Sequence, residues 1–248
     1  MLLQIITIFP EYFAGPLTCG VLRIAQEKNR AEIKTVSLRD FADDSYRTVD
    51  DYPFGGGTGM VLKPEPIFRA VESIKKNDSY VILLSPQGRK FDQKLAQELA
   101  QKEHLIIICG RYKGVDERVS QALVNEEISI GDYILSGGEA AALVIIESIV
   151  RLLPDVVGDE ESINTDSFVQ GGLDAPYYTR PREFRGLKVP EVLVSGNHEA
   201  IRRWRRMQSL KATQKRRPDL LKNIELSEED KILLKMEDKE YGGENGKN

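Results

Sequence analysis

Residues 105–142 contain two glycine-rich loops, and each loop follows an apolar run of the kind that forms a buried β-strand. The first run, residues 104–109 (HLIIIC), is short and β-branched, which predicts a strand buried on both faces. Residues 110–114 (GRYKG) turn the chain, and residues 115–124 have helical periodicity. A second predicted strand, residues 127–130, is followed by glycines and then by a long apolar helix. This repeat of strand, loop and helix restricts the chain to an α/β fold.

A third glycine loop, residues 85–89 (SPQGR), follows the apolar run at residues 79–84. Glycines beyond strand ends let backbone amides approach a ligand closely, and open α/β sheets bind their ligands at this edge. Ordinary connections between strands and helices also use glycine, and one such loop alone would favour that interpretation. Three loops of this kind favour a small-molecule pocket.

Alternating strand and helix patterns continue to about residue 153, which predicts a mainly parallel sheet with helices on both faces. Residues 158–174 lack apolar periodicity and predict a mobile linker. We therefore predict a first domain at residues 1–159, a flexible linker at 160–175, and a small, basic, mostly helical domain at 176–248. The predicted strands are residues 2–9, 31–38, 79–84, 104–109 and 127–130, and the predicted helices are residues 11–28, 64–76, 93–101, 115–124, 136–153 and 197–210. Asp92 and Asn197 are the predicted N-caps of the helices at 93–101 and 197–210.

Positive charge is concentrated in one part of a chain whose net charge is −4. Residues 180–217 contain 12 Lys and Arg against 3 Glu, a net charge of +9, so the other residues sum to −13. Such a basic block in an acidic protein indicates a polyanionic partner. The arginines that flank the apolar stripe of the predicted helix 197–210 could be solvated surface, but the nearby basic residues 215–217 favour contact with nucleic acid. These arginines are Arg202, Arg203, Arg205 and Arg206.

Composition excludes several classes of site. Two cysteines and two histidines are too few and too far apart for a His/Cys metal site. The first strand leads into Pro10 rather than into a G-x-G-x-x-G loop, so a Rossmann-type site loses support. The N-terminus has no signal-peptide pattern, and the longest apolar stretch, residues 140–153, is too short to span a bilayer. We expect a cytoplasmic protein without a dedicated metal site.

Seven motifs, which cover nearly the whole chain, carry a resemblance to one family. They are residues 6–10 (ITIFP), 48–57 (TVDDYPFGGG), 84–89 (LSPQGR), 109–112 (CGRY), 129–139 (SIGDYILSGGE), 178–181 (YTRP) and 195–204 (SGNHEAIRRW). In this order they closely resemble the TrmD family of bacterial tRNA (guanine-N1)-methyltransferases, which belongs to the SPOUT class. So many long motifs in the family's order make agreement by chance implausible.

The resemblance implies an enzyme that transfers a methyl group from S-adenosylmethionine to N1 of the guanosine immediately 3′ of certain tRNA anticodons. It also implies that the sheet is threaded as a trefoil knot, an exception to the rule that chains do not knot. Family members are homodimers with active sites between the subunits. They are reported to use Mg²⁺, for which this sequence has no dedicated motif.

By motif position, the resemblance assigns the three glycine loops to the cofactor and the catalytic roles to two other residues. Asp166, in the linker, would be the catalytic base, and Arg151 would be its partner. The cofactor-binding residues would be Pro86, Gln87, Gly88, Gly110, Ile130, Gly131, Asp132, Tyr133, Ile134, Leu135 and Gly137. The residues that we expect to bind tRNA are Arg180, Arg202, Arg203 and Arg206.

The expected chemistry suits these residue types. Guanine N1 carries a proton at neutral pH, so a base must remove that proton before the nitrogen attacks the methyl group. A carboxylate can do this if the pocket raises its pKa or stabilises the resulting anion. Negative charge then develops on guanine O6, and a guanidinium suits that position. The sulfonium is already an activated methyl donor, so the protein chiefly holds donor and acceptor in line.

One residue departs from the family pattern. The family motif usually reads Gly-Arg-Tyr-Glu-Gly, whereas this chain has Lys113 in the place of the glutamate. Any role that the family gives to that carboxylate therefore cannot be transferred to this chain. The backbone contacts of the same loop are expected to remain.

Two alternative functions belong to other classes. A non-catalytic RNA-binding or ribosome-associated protein would use the basic C-terminal part, and the three glycine loops argue against it. A different nucleotide-dependent enzyme of doubly wound fold is disfavoured because the phosphate-loop and dinucleotide fingerprints are missing. Binding of S-adenosylmethionine distinguishes these alternatives from the methyltransferase.

Overall fold

The chain forms two compact units, Met1–Glu160 and Glu161–Asn248. The computed structural model describes residues 1–158, 166–169 and 171–236. Much of the predicted linker, residues 160–165 and 170, therefore lies outside the described residues, as does the end of the predicted C-terminal domain, residues 237–248. Within the described ranges, no helix is long and apolar enough to cross a membrane.

The first unit is built on a five-stranded sheet in which every pairing is parallel, with the strand order β2-β1-β6-β5-β7. The prediction of a mainly parallel sheet is confirmed. The strands of this unit are β1 (Leu2–Thr7), β2 (Glu32–Ser37), β3 (Asp50–Asp51), β4 (Val61–Leu62), β5 (Ser79–Lys90), β6 (His104–Cys109) and β7 (Glu126–Ser129). Its helices are α1 (Gly20–Glu27), α2 (Pro64–Ile74), α3 (Gln93–Ala100), α4 (Glu117–Leu123) and α5 (Glu139–Val150).

Apolar side chains form a separate core on each face of this sheet, because successive residues of a strand point to opposite sides. One core combines Ile5 and Ile107 with side chains of α1, α3 and α5. The other combines Ile6 and Ile108 with side chains of α2 and α4. All of β6 is buried, as expected for a parallel strand covered on both faces. The prediction that helices flank the sheet is therefore confirmed.

The order of the strands in the sheet differs from their order in the chain, and this difference determines which loops are neighbours. β6 lies between β1 and β5, with the registers Ile6↔Ile108 and Leu84↔Cys109. After the edge strand β7, the chain returns to the centre of the sheet, where α5 contacts β1 and β6. The carboxyl ends of β6, β5 and β7 lie side by side, so the three predicted glycine loops occupy one edge.

The N-terminal segment differs from its sequence prediction. Residues 11–28 have a mostly helical pattern, but they contain two short 3₁₀ turns, Pro10–Phe13 and Pro16–Thr18, before α1 begins. Each turn begins at a proline, which has no N–H to donate and therefore cannot extend a helix from the preceding residues. The spacing of apolar residues alone does not predict these two turns.

The second unit is built on one long helix, α6 (His198–Arg216), which extends beyond the predicted residues 197–210. The predicted cap is present, because the Asn197 side chain accepts a hydrogen bond of 3.1 Å from the N–H of Ala200. Trp204 and Met207 form a small core with Leu233. The other elements of this unit are β8 (Glu183–Phe184), β9 (Leu187–Lys188), α7 (Pro218–Leu221) and α8 (Glu228–Lys235).

The described end of the predicted linker is held on α6. The N–H of Leu173 donates to the hydroxyl oxygen of Thr213 at 2.9 Å, and the carbonyl of Leu173 accepts from the Ser209 hydroxyl at 2.6 Å. Ala175 is buried. Residues 171–175 therefore pack as part of the second unit, and flexibility of residues 160–165 stays a prediction.

His104, at the start of β6, leads to a prediction about stability and pH. Its Nδ1 lies 2.7 Å from the Ser79 hydroxyl and its Nε2 lies 2.9 Å from Gln4 Oε1. Burial, followed by repulsion from Lys76, lowers the pKa of His104. The folded state therefore binds this proton less well than the unfolded state does. The free energy of unfolding should fall as pH drops below about 6.5, the ordinary histidine value, towards the lower folded value.

Urea unfolding of the wild type and of His104→Gln tests this prediction at about pH 7.5 and about pH 5.5. The wild type should lose more stability between the two pH values than the variant, which lacks the titrating group. Equal losses in the two proteins would contradict the assignment.

Candidate active site

The three glycine loops meet at the carboxyl ends of β5, β6 and β7. The N–H of Gly138 donates to the carbonyl of Gly110 at 2.9 Å, and Arg111 and Gly137 form an isolated antiparallel bridge. The loop within β5 adjoins them, because a Cβ atom on Gly110 would lie 3.3 Å from the carbonyl oxygen of Leu84. The structure thus brings together the loops that the sequence predicts as one pocket.

The loop of β5 is an excursion from the strand. Leu84 and Arg89 both pair with Ile128 of β7, so the four residues between them leave the ladder. Of these, Pro86 and Gln87 are exposed. Because Arg89 and Lys90 resume the pairing with β7, β5 is longer than the predicted residues 79–84.

Gly88 and Gly138 occupy positions that admit no side chain. A Cβ atom on Gly88 would lie 2.4 Å from the backbone carbon of Glu127 and from the backbone nitrogen of Ile128. A Cβ atom on Gly138 would lie 2.8 Å from the Cα atom of Cys109. Both distances are far below van der Waals contact, so glycine at these positions permits the close approach of the loops.

The loop after β7 presents apolar side chains to solvent. Gly131 has a φ of 148°, a backbone conformation that favours glycine. Tyr133, Ile134 and Leu135 follow it and are 55%, 79% and 41% exposed. Ile130 is half-buried and Asp132 is exposed. A run of exposed apolar side chains at a glycine-rich strand edge is typical of a ligand-binding surface.

A buried carboxylate ties these loops to the sheet. Glu139, the first residue of α5, is 2% exposed. It accepts a hydrogen bond of 2.8 Å from the hydroxyl of Thr7, and its Oε2 lies 3.5 Å from Nη1 of Arg111. The Arg111 guanidinium also lies 4.8 Å from the centroid of the Phe9 ring. Glu139 therefore connects β1, the loop after β6 and the start of α5.

Replacing Glu139 should destabilise the first unit. Glu139→Leu leaves the Thr7 hydroxyl and the Arg111 guanidinium without their shared acceptor, at an expected cost of about 3 kcal/mol, the low end of the range for breaking a buried ion pair. Glu139→Gln keeps an acceptor for Thr7 and should cost less. Glu147→Gln, on an exposed position of the same helix, is the control. Urea unfolding measures all three, and an effect of Glu139→Leu no larger than that of Glu147→Gln would contradict this role.

Cys109 takes no chemical role in this site. Burial, followed by the nearby Glu139 carboxylate, raises the pKa of the Cys109 thiol. The thiol is therefore protonated at neutral pH, and a protonated thiol is a poor nucleophile. This agrees with its interpretation from the sequence as a core residue.

The loop after β6 is attached to the glycine-rich segment at residues 50–60. The N–H of Lys113 donates to the carbonyl of Met60 at 3.0 Å, and the side chain of Lys113 covers Gly59. Burial, followed by the Asp50 carboxylate, raises the pKa of Tyr112. The exposed side chain of Lys113, which stands where the family motif usually has glutamate, therefore lies beside residues 50–60.

The two residues with predicted catalytic roles lie in different units. Arg151 is the half-buried C-cap of α5 in the first unit. Asp166 is half-buried in the second unit and is the first described residue after the gap at residues 159–165. Their roles stay predictions.

Most of the arginines predicted to bind tRNA contact acidic residues of α8. Arg202 and Arg203 lie 3.5 and 3.2 Å from Glu229. Arg206 donates two hydrogen bonds to Asp230, of 2.7 and 2.8 Å, and this pairing lowers the pKa of the Asp230 carboxyl. Arg180 is exposed. These contacts attach α8 to α6, and tRNA binding by these arginines stays a prediction.

A metal site is not evident in the part of the chain that the structure describes. There, no group of three or more His, Cys, Asp or Glu side chains could hold a metal ion. The described residues thus do not supply a fitting site for Mg²⁺.

Sequence reasoning missed Thr7, Arg111 and Glu139 as parts of this site. Glu139 carries only a weak signal, since acidic residues are common in the first turn of a helix. Thr7 carries no such signal, since its contact with Glu139 spans 132 residues of sequence. The contact forms only because the chain returns after β7 and places α5 against β1.

Comparison with known proteins places this chain in one family. A family model described as tRNA (Guanine-1)-methyltransferase TrmD matches residues 1–223. The tRNA (guanine-N(1)-)-methyltransferases of Dictyoglomus turgidum and Carboxydothermus hydrogenoformans are each 59% identical to this chain, over 94% of it and over 94% and 92% of their own lengths. That of a Sulfurihydrogenibium species is 58% identical over 97% of this chain and 96% of its own length. The chain therefore belongs to the TrmD family of tRNA (guanine-N1)-methyltransferases.

Proposed function

We propose that this protein transfers a methyl group from S-adenosylmethionine to N1 of the guanosine immediately 3′ of the anticodon in tRNA. The observation that carries the proposal is the convergence of three glycine loops at one sheet edge, each within a motif of the TrmD family. Relatives with 58–59% identity are named for this reaction class.

The residues of the three loops suit S-adenosylmethionine. Gly88, Gly110 and Gly138 let the backbones of the three loops approach one another closely, so that all three loops can border one ligand site. Exposed Tyr133 and Leu135 offer apolar surface to the adenine ring. When bound, S-adenosylmethionine supplies an activated methyl group on its sulfonium. The residues proposed to hold it are Pro86, Gln87, Gly88, Gly110, Ile130, Gly131, Asp132, Tyr133, Ile134, Leu135 and Gly137.

Two residues of this chain are proposed to handle the proton and the charge. Asp166 accepts the proton from guanine N1, which frees the in-plane lone pair for attack on the methyl carbon. Arg151 stabilises the negative charge that develops on guanine O6. Support comes from the family resemblance, since the TrmD family model matches residues 1–223, which include both positions. The buried Glu139 holds the surrounding loops in place, so that the acceptor and the donor can be aligned.

The remaining family properties are part of the same proposal. We propose that the first unit is threaded as a trefoil knot, that two chains form a homodimer with active sites between the subunits, and that the protein acts in the cytoplasm. The return of α5 from the edge strand to the centre of the sheet is compatible with a knot. The basic second unit is proposed to bind tRNA through its arginines.

Transfer of labelled methyl groups to tRNA transcripts tests the function. One transcript carries the guanosine 3′ of the anticodon, and the matched control carries adenosine there. We expect label in the first transcript only, recovered as N1-methylguanosine after digestion. Equal labelling of both transcripts, or no labelling of either, would overturn the proposal. The reaction is run with Mg²⁺ and with a chelator, which measures whether methyl transfer requires Mg²⁺, an ion for which the described residues supply no site.

A further inference from the structure

The second unit contains a groove of about 440 Å³, formed by residues 176–194 together with α6. Its volume is within the range of about 300–1,000 Å³ that is common for small-ligand sites. The lining residues include Tyr177, Arg180, Arg182 and Arg205, and none of them is acidic. Most of the other lining side chains are aliphatic. A groove with an aromatic ring, several cations and no anion suits a polyanionic ligand that has flat rings.

The four arginines at residues 202–206 of α6 divide into two groups. Arg202, Arg203 and Arg206 contact Glu229 or Asp230 of α8. Arg205, which lines the groove, is exposed and makes no ion pair with any residue that the structure describes. Its guanidinium carbon lies 5.8 Å from the centroid of the Tyr177 ring. The helix therefore uses three arginines within the unit and directs the fourth at the groove.

Arg180 and Arg182 add to this charge. Neither of them pairs with a carboxylate of the described residues, and both line the groove. The arginines at positions 180, 182 and 205 thus surround the groove with positive charge that no carboxylate of the described residues neutralises. Phosphate groups are the usual partners of such guanidinium groups.

The aromatic side chains of the groove are held in place. The Tyr177 hydroxyl donates to Oδ2 of Asp174 at 2.7 Å, yet the side chain is 65% exposed. Tyr178 packs beside Trp204, with ring centroids 6.3 Å apart. A ring that is positioned by a hydrogen bond and still exposed can receive a nucleobase at little cost in side-chain entropy.

We propose that this groove binds an unpaired nucleotide of the tRNA other than the guanosine that is methylated. The base stacks on Tyr177, and Arg180, Arg182 and Arg205 contact the adjoining phosphates. The inference rests on the proposed function, since it takes tRNA as the substrate. The proposed binding site is separate from the arginines that pair with α8, because none of those arginines lines the groove.

The full-length protein tests this inference through matched variants. Tyr177→Leu removes the stacking ring, whereas Tyr177→Phe keeps the ring and loses the hydroxyl that donates to Asp174. Tyr177→Leu should raise KM for tRNA by at least about fivefold, the low end of the contribution of one stacked base, with kcat unchanged. Tyr177→Phe keeps the ring, so its KM for tRNA should lie much closer to the wild-type value than that of Tyr177→Leu. Affinity for S-adenosylmethionine should be the same in all three proteins.

Salt dependence tests the phosphate contacts. Arg205→Gln should lower the slope of log affinity for tRNA against log salt by about one unit, the effect of one lost phosphate contact. Arg23→Gln removes an exposed arginine of α1 that pairs with Glu27, and it should leave the slope unchanged. A five-nucleotide RNA that contains 2-aminopurine should lose fluorescence on binding to the wild type and to Tyr177→Phe, but not on binding to Tyr177→Leu.

The outcomes separate this inference from the proposed function. If the wild type methylates the guanosine but Tyr177→Leu matches it in KM and in quenching, the groove proposal is overturned and the function stands. If the wild type binds tRNA and transfers no methyl group, the function fails. The binding and quenching measurements then still decide the role of the groove.

Discussion

Replacing Asp166 by asparagine is expected to lower the rate of methyl transfer by about 10²–10⁴-fold, the usual effect of removing one general base. The amide has nearly the shape of the carboxylate but cannot accept the proton from guanine N1. Binding of tRNA and of S-adenosylmethionine should therefore change little. Single-turnover methylation, with both substrates saturating, measures the chemical step apart from binding.

Two further variants serve as comparisons in this experiment. Arg151→Ala should also slow the chemical step, because the charge on guanine O6 would lose its cation. Asp219→Asn removes a carboxylate that pairs with Arg217 in the same unit as Asp166, and it should leave the rate unchanged. An Asp166→Asn protein that runs near the wild-type rate under saturating conditions would remove Asp166 as the base.

Replacing Gly88 by alanine is expected to weaken binding of S-adenosylmethionine by at least about tenfold. The added Cβ atom would lie 2.4 Å from backbone atoms of Glu127 and Ile128, and neither backbone can move without separating β5 from β7. The excursion at residues 85–88 would therefore shift away from the other two loops. Overpacking of this kind typically costs about 1–3 kcal/mol, so a protein that still folds should bind its cofactor less well. Titration calorimetry with S-adenosylmethionine gives the affinity.

Gly15→Ala is the matched control for this substitution. A Cβ atom on Gly15 would meet no atom within 4 Å, so the same chemical change is made where the chain has room. We expect its affinity for S-adenosylmethionine to equal that of the wild type. If Gly88→Ala also binds with wild-type affinity, the loop of β5 is not part of the cofactor site.

The fold could be predicted from the sequence wherever a short-range pattern decides the structure. The buried run at residues 104–109 predicts β6 with its observed ends, and Asp92 and Asn197 cap the helices that they were expected to cap. Alternation of strands and helices was sufficient to predict a parallel sheet with helices on its faces. Glycines after successive strands were sufficient to predict that their loops lie together.

Other features depend on contacts between distant residues, which no local pattern records. The excursion of β5 exists because Leu84 and Arg89 share one partner on β7. The bond between Thr7 and Glu139 requires the return of α5 beneath β1. The acidic residues near the C-terminus carry no motif, yet Glu229 and Asp230 bind three arginines of α6. Sequence alone treats those arginines as one basic surface, whereas the structure distinguishes Arg205 from them.

Hydrogen–deuterium exchange of the wild-type protein, with and without S-adenosylmethionine, tests most directly whether the three glycine loops form the cofactor site. A cofactor site at these loops predicts slower amide exchange in peptides that cover residues 85–89, 110–114 and 130–138 together, while peptides of α6 are unaffected. Protection that is confined to the second unit, or a complete lack of protection in the three loops at saturating S-adenosylmethionine, would contradict it.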